Sequence, residues 1–298
     1  MSLALVYLSR GLGAGCGISA LKDFLNAYRV FPAGCPHELI VITKGWSGVE
    51  GQDQLEPILR AHAARVVALP DDGFDWGAYI RLVPHLSQEW LCFLNTYSRP
   101  RVAGWLNLMR MAAETSGMDT GAVGATGSWE TLAPVFPQPS VRSAYNTPLI
   151  YPLMLVYNTA RFLMNIPVFR AFPNPHLRTN AFIVRRELFL DFVATQKFPR
   201  SKRDVAIMES GRTGFTAYLY NRSLKVLVTG ADGKAYEREQ WIDSRTFRVH
   251  GQPNLLVADN HTIAYDNAHL SAKRALEIQA WGQSFSDNNQ SFNGQKDR

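Results

Sequence analysis

A few residues in this sequence combine types and spacing that suit proton transfer beside a phosphate. Glu209 stands in Met208-Glu-Ser-Gly-Arg212, after an apolar run and three residues before an arginine. Where a helix opens, the helix dipole and a nearby guanidinium keep such a carboxylate ionised, and an ionised carboxylate accepts a hydroxyl proton. Asp204 is the reserve for that role, and an ordinary first-turn glutamate is the plain alternative for Glu209. Arg178 stands in Phe172-Pro-Asn-Pro-His-Leu-Arg-Thr-Asn-Ala-Phe182. Prolines stiffen that loop, and a planar guanidinium suits a diphosphate. Its neighbours His176 and Asn180 are polar at the mouth of an apolar run; His176 reads equally well as a structural histidine. No Ser-His-Asp order, HExxH motif or close histidine pair accompanies them.

Two further loops carry ligand-type residues. Ser9-Arg-Gly-Leu-Gly-Ala-Gly-Cys-Gly17 has four glycines ahead of an apolar helical pattern. Its backbone N–H groups can approach a phosphate, but the spacing matches neither a P-loop nor a Rossmann fingerprint, so a flexible connection is the alternative. In Asp71-Asp-Gly-Phe-Asp-Trp-Gly-Ala-Tyr79, Asp75 sits where a helix starts. Capping explains the aspartate alone. The small residues Gly73, Gly77 and Ala78 predict that another group lies close to the first turn.

These loops are set by an alternation of short apolar runs and amphipathic segments. Strands are expected over 3–8, 38–43, 65–69, 90–94 and 121–125. Helices are expected over 18–28, 54–63, 76–86 and 102–114. Such alternation predicts parallel β-α-β units, with ligands at the carboxyl ends of the strands. The loops beginning at Ser9, Thr43, Pro70, Asn95 and Thr126 therefore matter most. Further on, 179–184 reads as a strand, 187–194 as a helix, 210–221 as a helix, 225–229 as a strand and 269–281 as a helix. Residues 284–298 are rich in Asn, Gln, Ser and Asp and read as a disordered tail.

Of the 298 residues, 46% are hydrophobic and 19% charged, a globular composition. The net charge of +6 favours anionic partners. Between Arg178 and Lys225 ten Lys/Arg face four Asp/Glu, so the basic excess is concentrated there. Residues 131–186 hold six arginines and no Asp, Glu or Lys. Three cysteines without a CxxC pair argue against a disulfide scaffold or a cysteine zinc site. The N-terminal apolar run is too short for a signal peptide, and no stretch reaches a membrane span. The expected location is cytoplasmic. The segment 149–165 has a narrow polar stripe, Asn158, Arg161 and Asn165, and predicts a helix buried in the core or against a partner, with an interfacial helix on lipid as the alternative.

Taken together, these motifs resemble the GT-A glycosyltransferases, especially the bacterial family 2-like rhamnosyl- and polysaccharide-type enzymes. Gly73-Phe-Asp-Trp-Gly-Ala78 matches the family's Asn-x-Gly-type helix start. Phe93-Leu-Asn-Thr-Tyr97 and Gly104-Trp-Leu106 match its Leu-Asn-x-Asp-like strand end and Gly-Trp-Leu helix. Thr179-Asn-Ala-Phe-Ile-Val-Arg-Arg-Glu187 resembles its strand-plus-Arg-Arg-Glu segment. Met208-Glu-Ser-Gly-Arg212 falls where the family carries a Glu-Asp pair. The resemblance spans about 3–229. It implies an α/β fold of GT-A-like, Rossmann type: a mostly parallel central sheet, helices on both faces and a C-terminal helical extension. It also implies a nucleotide-sugar-binding half over 1–126, an acceptor half over 127–230 and an extension over 231–283.

The implied activity is transfer of a sugar from a nucleotide-diphosphate donor to a hydroxyl of a surface glycan or lipid-linked acceptor, at or near the inner face of the cytoplasmic membrane. Ser9, Asp75, Tyr79, Asn95, Tyr97, Arg178, Asn180 and Arg212 would hold the donor, His176 the acceptor, and Glu209 or Asp204 would take the proton. One departure stands out: Tyr97 lies where the family has its metal-binding aspartate. A hard divalent cation wants carboxylates, so a metal-free reaction with cationic side chains on the diphosphate is favoured over Mg²⁺ or Mn²⁺ held by Asp71, Asp72 or Asp75. The same departure supports a rival, a non-catalytic relative acting as a binding or scaffold protein in polysaccharide assembly. Nucleic-acid binding would explain the charge but has no motif behind it.

Overall fold

The computed structural model describes residues 2–133, 156, 159–160 and 163–285. Its centre is an eight-stranded mixed sheet. The strands are β1 (Leu3–Arg10), β2 (Glu38–Lys44), β3 (Arg65–Ala68), β4 (Trp90–Leu94), β6 (Thr120–Gly124), β9 (Ala181–Arg185), β10 (Lys225–Thr229) and β11 (Ala235–Tyr236). Two short ribbons pair β5 (Arg99–Pro100) with β12 (Val257–Ala258) and β7 (Gly127–Ser128) with β8 (His176–Leu177). The sheet order is β11-β10-β6-β9-β4-β1-β2-β3. All pairings are parallel except those of β9, which runs antiparallel between β4 and β6, and the β10–β11 edge.

Period-two alternation builds two cores. Leu5 and Tyr7 of β1 face α1 (Ile18–Val30) and α4 (Trp105–Thr115), burying Leu21, Phe24, Trp105 and Met109. The short α2 (Leu55–Ala61) adds Leu59 to the same side. Val6 and Leu8 face the other side, where α3 (Phe74–Leu82), α5 (Arg186–Ala194), α6 (Lys202–Ser210) and α7 (Phe215–Asn221) meet. There Trp76 is ringed by Phe182, Phe189, Phe192 and Phe215 with centroids 5.6–6.0 Å away. That cluster locks α3 against the helices that follow β9. The α/β class, the mostly parallel sheet and helices on both faces are as the sequence predicts. Residues 231–283 contribute β11, β12, α8 (Asn260–Asn267) and α9 (Leu270–Trp281).

One difference bears on the chemistry. The helix predicted over 210–221 begins only at Phe215, as α7; a separate helix that the sequence did not predict, α6, runs up to Ser210, with Gly211–Gly214 turning between the two. Gly211 leaves α6 in an extended conformation with ψ 168°, and Gly214 opens α7. Glu209 is thus in the last turn of α6, where the dipole gives a carboxylate no support. The predicted helix over 149–165 lies largely outside the described residues; the side chains of Leu163 and Met164 are exposed. Of the predicted tail, only 284 and 285 are described. No helix among the described residues is long and apolar enough to cross a membrane.

Candidate active site

The parallel strands bring their carboxyl ends to one edge, and β9 starts there too, since Ala181 pairs with Leu94. Residues 176–180 therefore lie beside 95–98. The juxtaposition is fixed by hydrogen bonds. Asn180 Nδ2 donates to the Val257 carbonyl at 2.8 Å and Thr126 Oγ1 donates to Asn180 Oδ1 at 2.5 Å. Asn174 Nδ2 donates to the Ser210 carbonyl at 2.8 Å, and Leu177 N–H donates to Thr216 Oγ1 at 3.0 Å. The loop carrying His176 and Arg178 is thus bolted to the end of α6 and the start of α7. A site held this way needs little rearrangement to act.

A cavity of about 380 Å³ opens at this junction; Glu209, His176, Arg178, Phe247, Arg248 and His261 are among its lining residues. Glu209 Oε1 accepts from Thr179 N–H at 3.2 Å and from its hydroxyl at 3.4 Å. Burial pushes the Glu209 carboxyl up to about 7, the Asp75 charge adds to the push, and Arg178 and Thr179 pull back. Asp75, in the first turn of α3, is itself raised by burial against a hydrogen bond from Trp76 N–H. Arg178 donates through Nη2 to Asp259 Oδ2 at 2.7 Å, lies 4.1 Å from the centre of the Phe247 ring and leaves a buried Nη1 without a partner. Burial alone would raise Asp259, but Arg178 and the Thr262 N–H hold it below the usual carboxylate range. His176 is driven down to about 4 by burial, so it is a neutral imidazole near pH 7, its Nδ1 2.9 Å from the Asn174 carbonyl.

The N-terminal side of the edge is built differently. Lys44 has no exposed side-chain surface; its Nζ donates to the Asp72 and Phe74 carbonyls at 2.5 and 2.7 Å. Asp71 is shared by Arg10 at 3.2 Å and Lys44 at 3.9 Å, and Arg81 takes Asp72 at 2.6 Å. Tyr97 donates to the Ala14 carbonyl at 2.7 Å and so pins the glycine-rich loop. Within that loop the N–H groups of Gly11, Cys16 and Gly17 are spent on the Lys44, Gly13 and Arg10 carbonyls. Beside it, a second cavity of about 510 Å³ is lined by Arg10, Asp71, Asp72, Arg81 and Arg200 among others.

These observations correct several sequence-based assignments. Tyr79 has no exposed surface and its hydroxyl donates to the Leu94 carbonyl at 3.1 Å, so it is a core residue. Ser9 is buried; its carbonyl accepts from Trp46 Nε1, and its hydroxyl has no partner among the described residues. Asn180 is a buried bolt between loops. Asn95 Oδ1 accepts from Tyr97 N–H and Ser98 Oγ, turning its own loop. Arg212 is exposed and lines neither cavity. Asp204 forms a capping box with Ser201 and lines a different cavity from Glu209, so the structure does not bring the two together. The small residues of α3 make room for the chain itself: a Cβ on Gly73 would stand 2.5 Å from the Phe198 ring. Conversely, the sequence reading missed Asp259, Arg248 and Phe247. Only Asp259 had a legible signal, the Asp-x-x-Thr262 pattern of a helix cap.

A divalent cation in the loop after β4 does not fit the residues there. Asn95, Thr96, Tyr97 and Ser98 offer no carboxylate, and Asp71 and Asp72 are held by cations. Among the described residues no group of three or more His, Cys, Asp and Glu is arranged to hold a metal.

No protein-family model matches the sequence, and no curated protein does. Among solved structures the chain is similar to a 4-diphosphocytidyl-2C-methyl-D-erythritol synthase from Anaerococcus prevotii, at 12% identity and TM-score 0.43, covering 76% of this chain and 86% of that one. It is also similar to a mannosyltransferase from Pyrobaculum calidifontis in complex with GDP-Man and Mn²⁺, at 10% identity and TM-score 0.44, covering 82% and 59%. A third is glucosyl-3-phosphoglycerate synthase from Mycobacterium tuberculosis, at 15% identity and TM-score 0.34, covering 62% and 57%. The chain spans less than two thirds of the last two proteins.

Proposed function

We propose that the chain transfers a glycosyl group from a nucleotide-diphosphate sugar to a hydroxyl acceptor, with Glu209 as the base. The observation that carries this reading is Glu209 itself: a half-buried carboxylate raised to about 7, oriented by Thr179, sharing a cavity with a guanidinium that has an unspent N–H. A base works best when its pKa lies near the working pH. The donor lies along the carboxyl edge, its nucleotide toward Arg10 and Tyr97 and its sugar toward Asp75 and Glu209, in keeping with ligand placement in open α/β sheets. The acceptor enters the cavity of about 380 Å³ past His176.

In the reaction the acceptor oxygen bonds to the anomeric carbon and its proton passes to Glu209. The bond from that carbon to the diphosphate oxygen breaks, and its electron pair leaves with the diphosphate. Arg178 Nη1 meets the growing negative charge, where a preorganised donor counts most. Asp259 and Phe247 hold the guanidinium in place, so no reorganisation is needed as the charge develops. The acceptor is a hydroxyl of a glycan or lipid-linked saccharide, met in the cytoplasm or at the membrane surface.

The test is calorimetry with UDP, GDP and dTDP, in EDTA and then in Mn²⁺, followed by assay of donor hydrolysis. One nucleotide should bind in EDTA, since the cations here are side chains. Binding only with Mn²⁺ would reject the cationic-side-chain account, and failure of all three nucleotides would reject the donor class.

A further inference from the structure

The C-terminal segment places a second arginine in the cavity, and nothing in the proposed chemistry uses it. Arg248 is only 5% exposed, yet its buried Nε and Nη1 atoms have no hydrogen-bond partner among the described residues. Its nearest carboxylate is Glu130 Oε2 at 3.8 Å, beyond hydrogen-bond range, and the other Glu130 oxygen accepts from Gln279 Nε2. Arg178 is different, since Asp259 already holds it at 2.7 Å. Burial, with the like charge of Arg178 adding to it, lowers the Arg248 pKa from the usual arginine range. The backbone is strained as well: Arg248 has φ +48°, and Arg245, His250 and Gln252 are also left-handed. A non-glycine residue in that region costs free energy that the surroundings must override. Here they do. Phe247 lies 4.7 Å from the Arg248 guanidinium, and its carbonyl accepts from Trp281 Nε1 at 2.9 Å.

A buried guanidinium on strained backbone, with only a long ion pair to Glu130 and the Phe247 ring beside it and with N–H groups unspent, is poorly compensated for its burial. It does fit a missing oxyanion, which a planar fork of N–H groups recognises. We propose that Arg248 binds an oxyanion carried by the acceptor, a phosphate or a carboxylate, seated in the cavity of about 380 Å³. The acceptor label rests on the glycosyl-transfer reading above. It follows from the cavity, whose lining holds Glu209, Arg178 and Arg248 together. The cavity takes its lining from residues after β6, and none from the strand-end loops of β1 to β4 assigned to the donor. The acceptor is then an anionic molecule, its negative group anchored on Arg248 and its hydroxyl delivered to Glu209.

The experiment titrates the full chain calorimetrically with inorganic phosphate and with acetate, each with and without saturating UDP or GDP. Wild type is compared with Arg248→Met and Arg248→Lys. Phosphate, acetate or both should bind whether or not the nucleotide is present, and the preferred ion tells a phosphate-bearing acceptor from a carboxylate-bearing one. Arg248→Met should weaken that binding about tenfold or more, with nucleotide affinity unchanged, and Arg248→Lys should fall between. Arg248→Met should also melt no lower than wild type, since it breaks no hydrogen bond. Three results overturn the proposal: neither anion binds wild type, Arg248→Met binds the anion normally, or the nucleotide expels it and so claims the site for the donor. Anion binding that needs Arg248 in a protein that binds no nucleotide supports the oxyanion site and overturns its reading as an acceptor subsite.

Discussion

The two halves of the carboxyl edge use the same residue types to opposite ends. On the N-terminal half, Arg10, Lys44 and Arg81 are engaged by Asp71, Asp72 and backbone carbonyls, and Tyr97 and Asn95 tie loops together. Most charged groups there are spent on each other, although Ser9 Oγ, Arg10 Nε and Thr96 Oγ1 are buried without a partner among the described residues. On the C-terminal half, Glu209 is lifted to about 7, and Arg178 and Arg248 keep buried N–H groups without partners. Satisfied polar networks make rigid walls. Unsatisfied ones hold free energy in reserve for a ligand or a transition state. Under the proposed reaction, this contrast makes the N-terminal half a scaffold that shapes a surface and gives the chemistry to the C-terminal half.

The contrast is sharpened most by Glu209→Gln. It keeps the shape but cannot take a proton, so turnover should fall by about 10²–10⁴-fold with nucleotide affinity little changed. The same variant should gain stability relative to wild type as pH rises. A carboxyl raised from its ordinary 4.5 to about 7 binds more protons folded than unfolded, so wild type loses stability through that window and the amide does not. By pH 8 the gain should be of order 1–3 kcal/mol, read from melting at pH 5 and pH 8. Normal turnover in the folded variant would erase the distinction between the halves.

Lys44→Met probes the other half. It strips the donor from two carbonyls, so denaturant unfolding should show a loss of about 1–3 kcal/mol. Turnover of the folded fraction should change far less than in Glu209→Gln, and an equal loss would make the N-terminal half catalytic too. Asp204→Ala is the smallest expected effect. It removes one helix cap, worth about 1 kcal/mol, and should leave the kinetics of the folded protein unchanged.

Legibility in the sequence followed the same division. The seven longer strands and the first four helices were readable from apolar periodicity, as in Leu3–Arg10 with its two alternating faces, whereas the two-residue strands β5, β7, β8, β11 and β12 are too short to leave such a pattern. The direction of β9 was not, since an apolar run does not say which neighbours it joins. Glu209 and Arg178 were picked out by residue type and local setting, but the stated reason for Glu209 was wrong. The break at Gly211–Gly214 moved it from a helix start to a helix end, and burial raised a group expected to stay ionised. Tyr79 and Asn180 were misassigned because a buried hydroxyl or amide with a backbone partner looks in sequence like one facing a ligand. Arg248 and Asp259 meet Arg178 only through tertiary folding, across 70 and 81 residues.

The most direct measurement is the pH dependence of kcat/KM for sugar transfer, or for donor hydrolysis, in wild type and in Glu209→Gln. With Glu209 as the base, activity should rise through pH about 7 as the carboxyl loses its proton, and this limb should vanish in the residual activity of the variant. A wild-type profile flat across that pH, or a limb that survives in Glu209→Gln, would contradict the account.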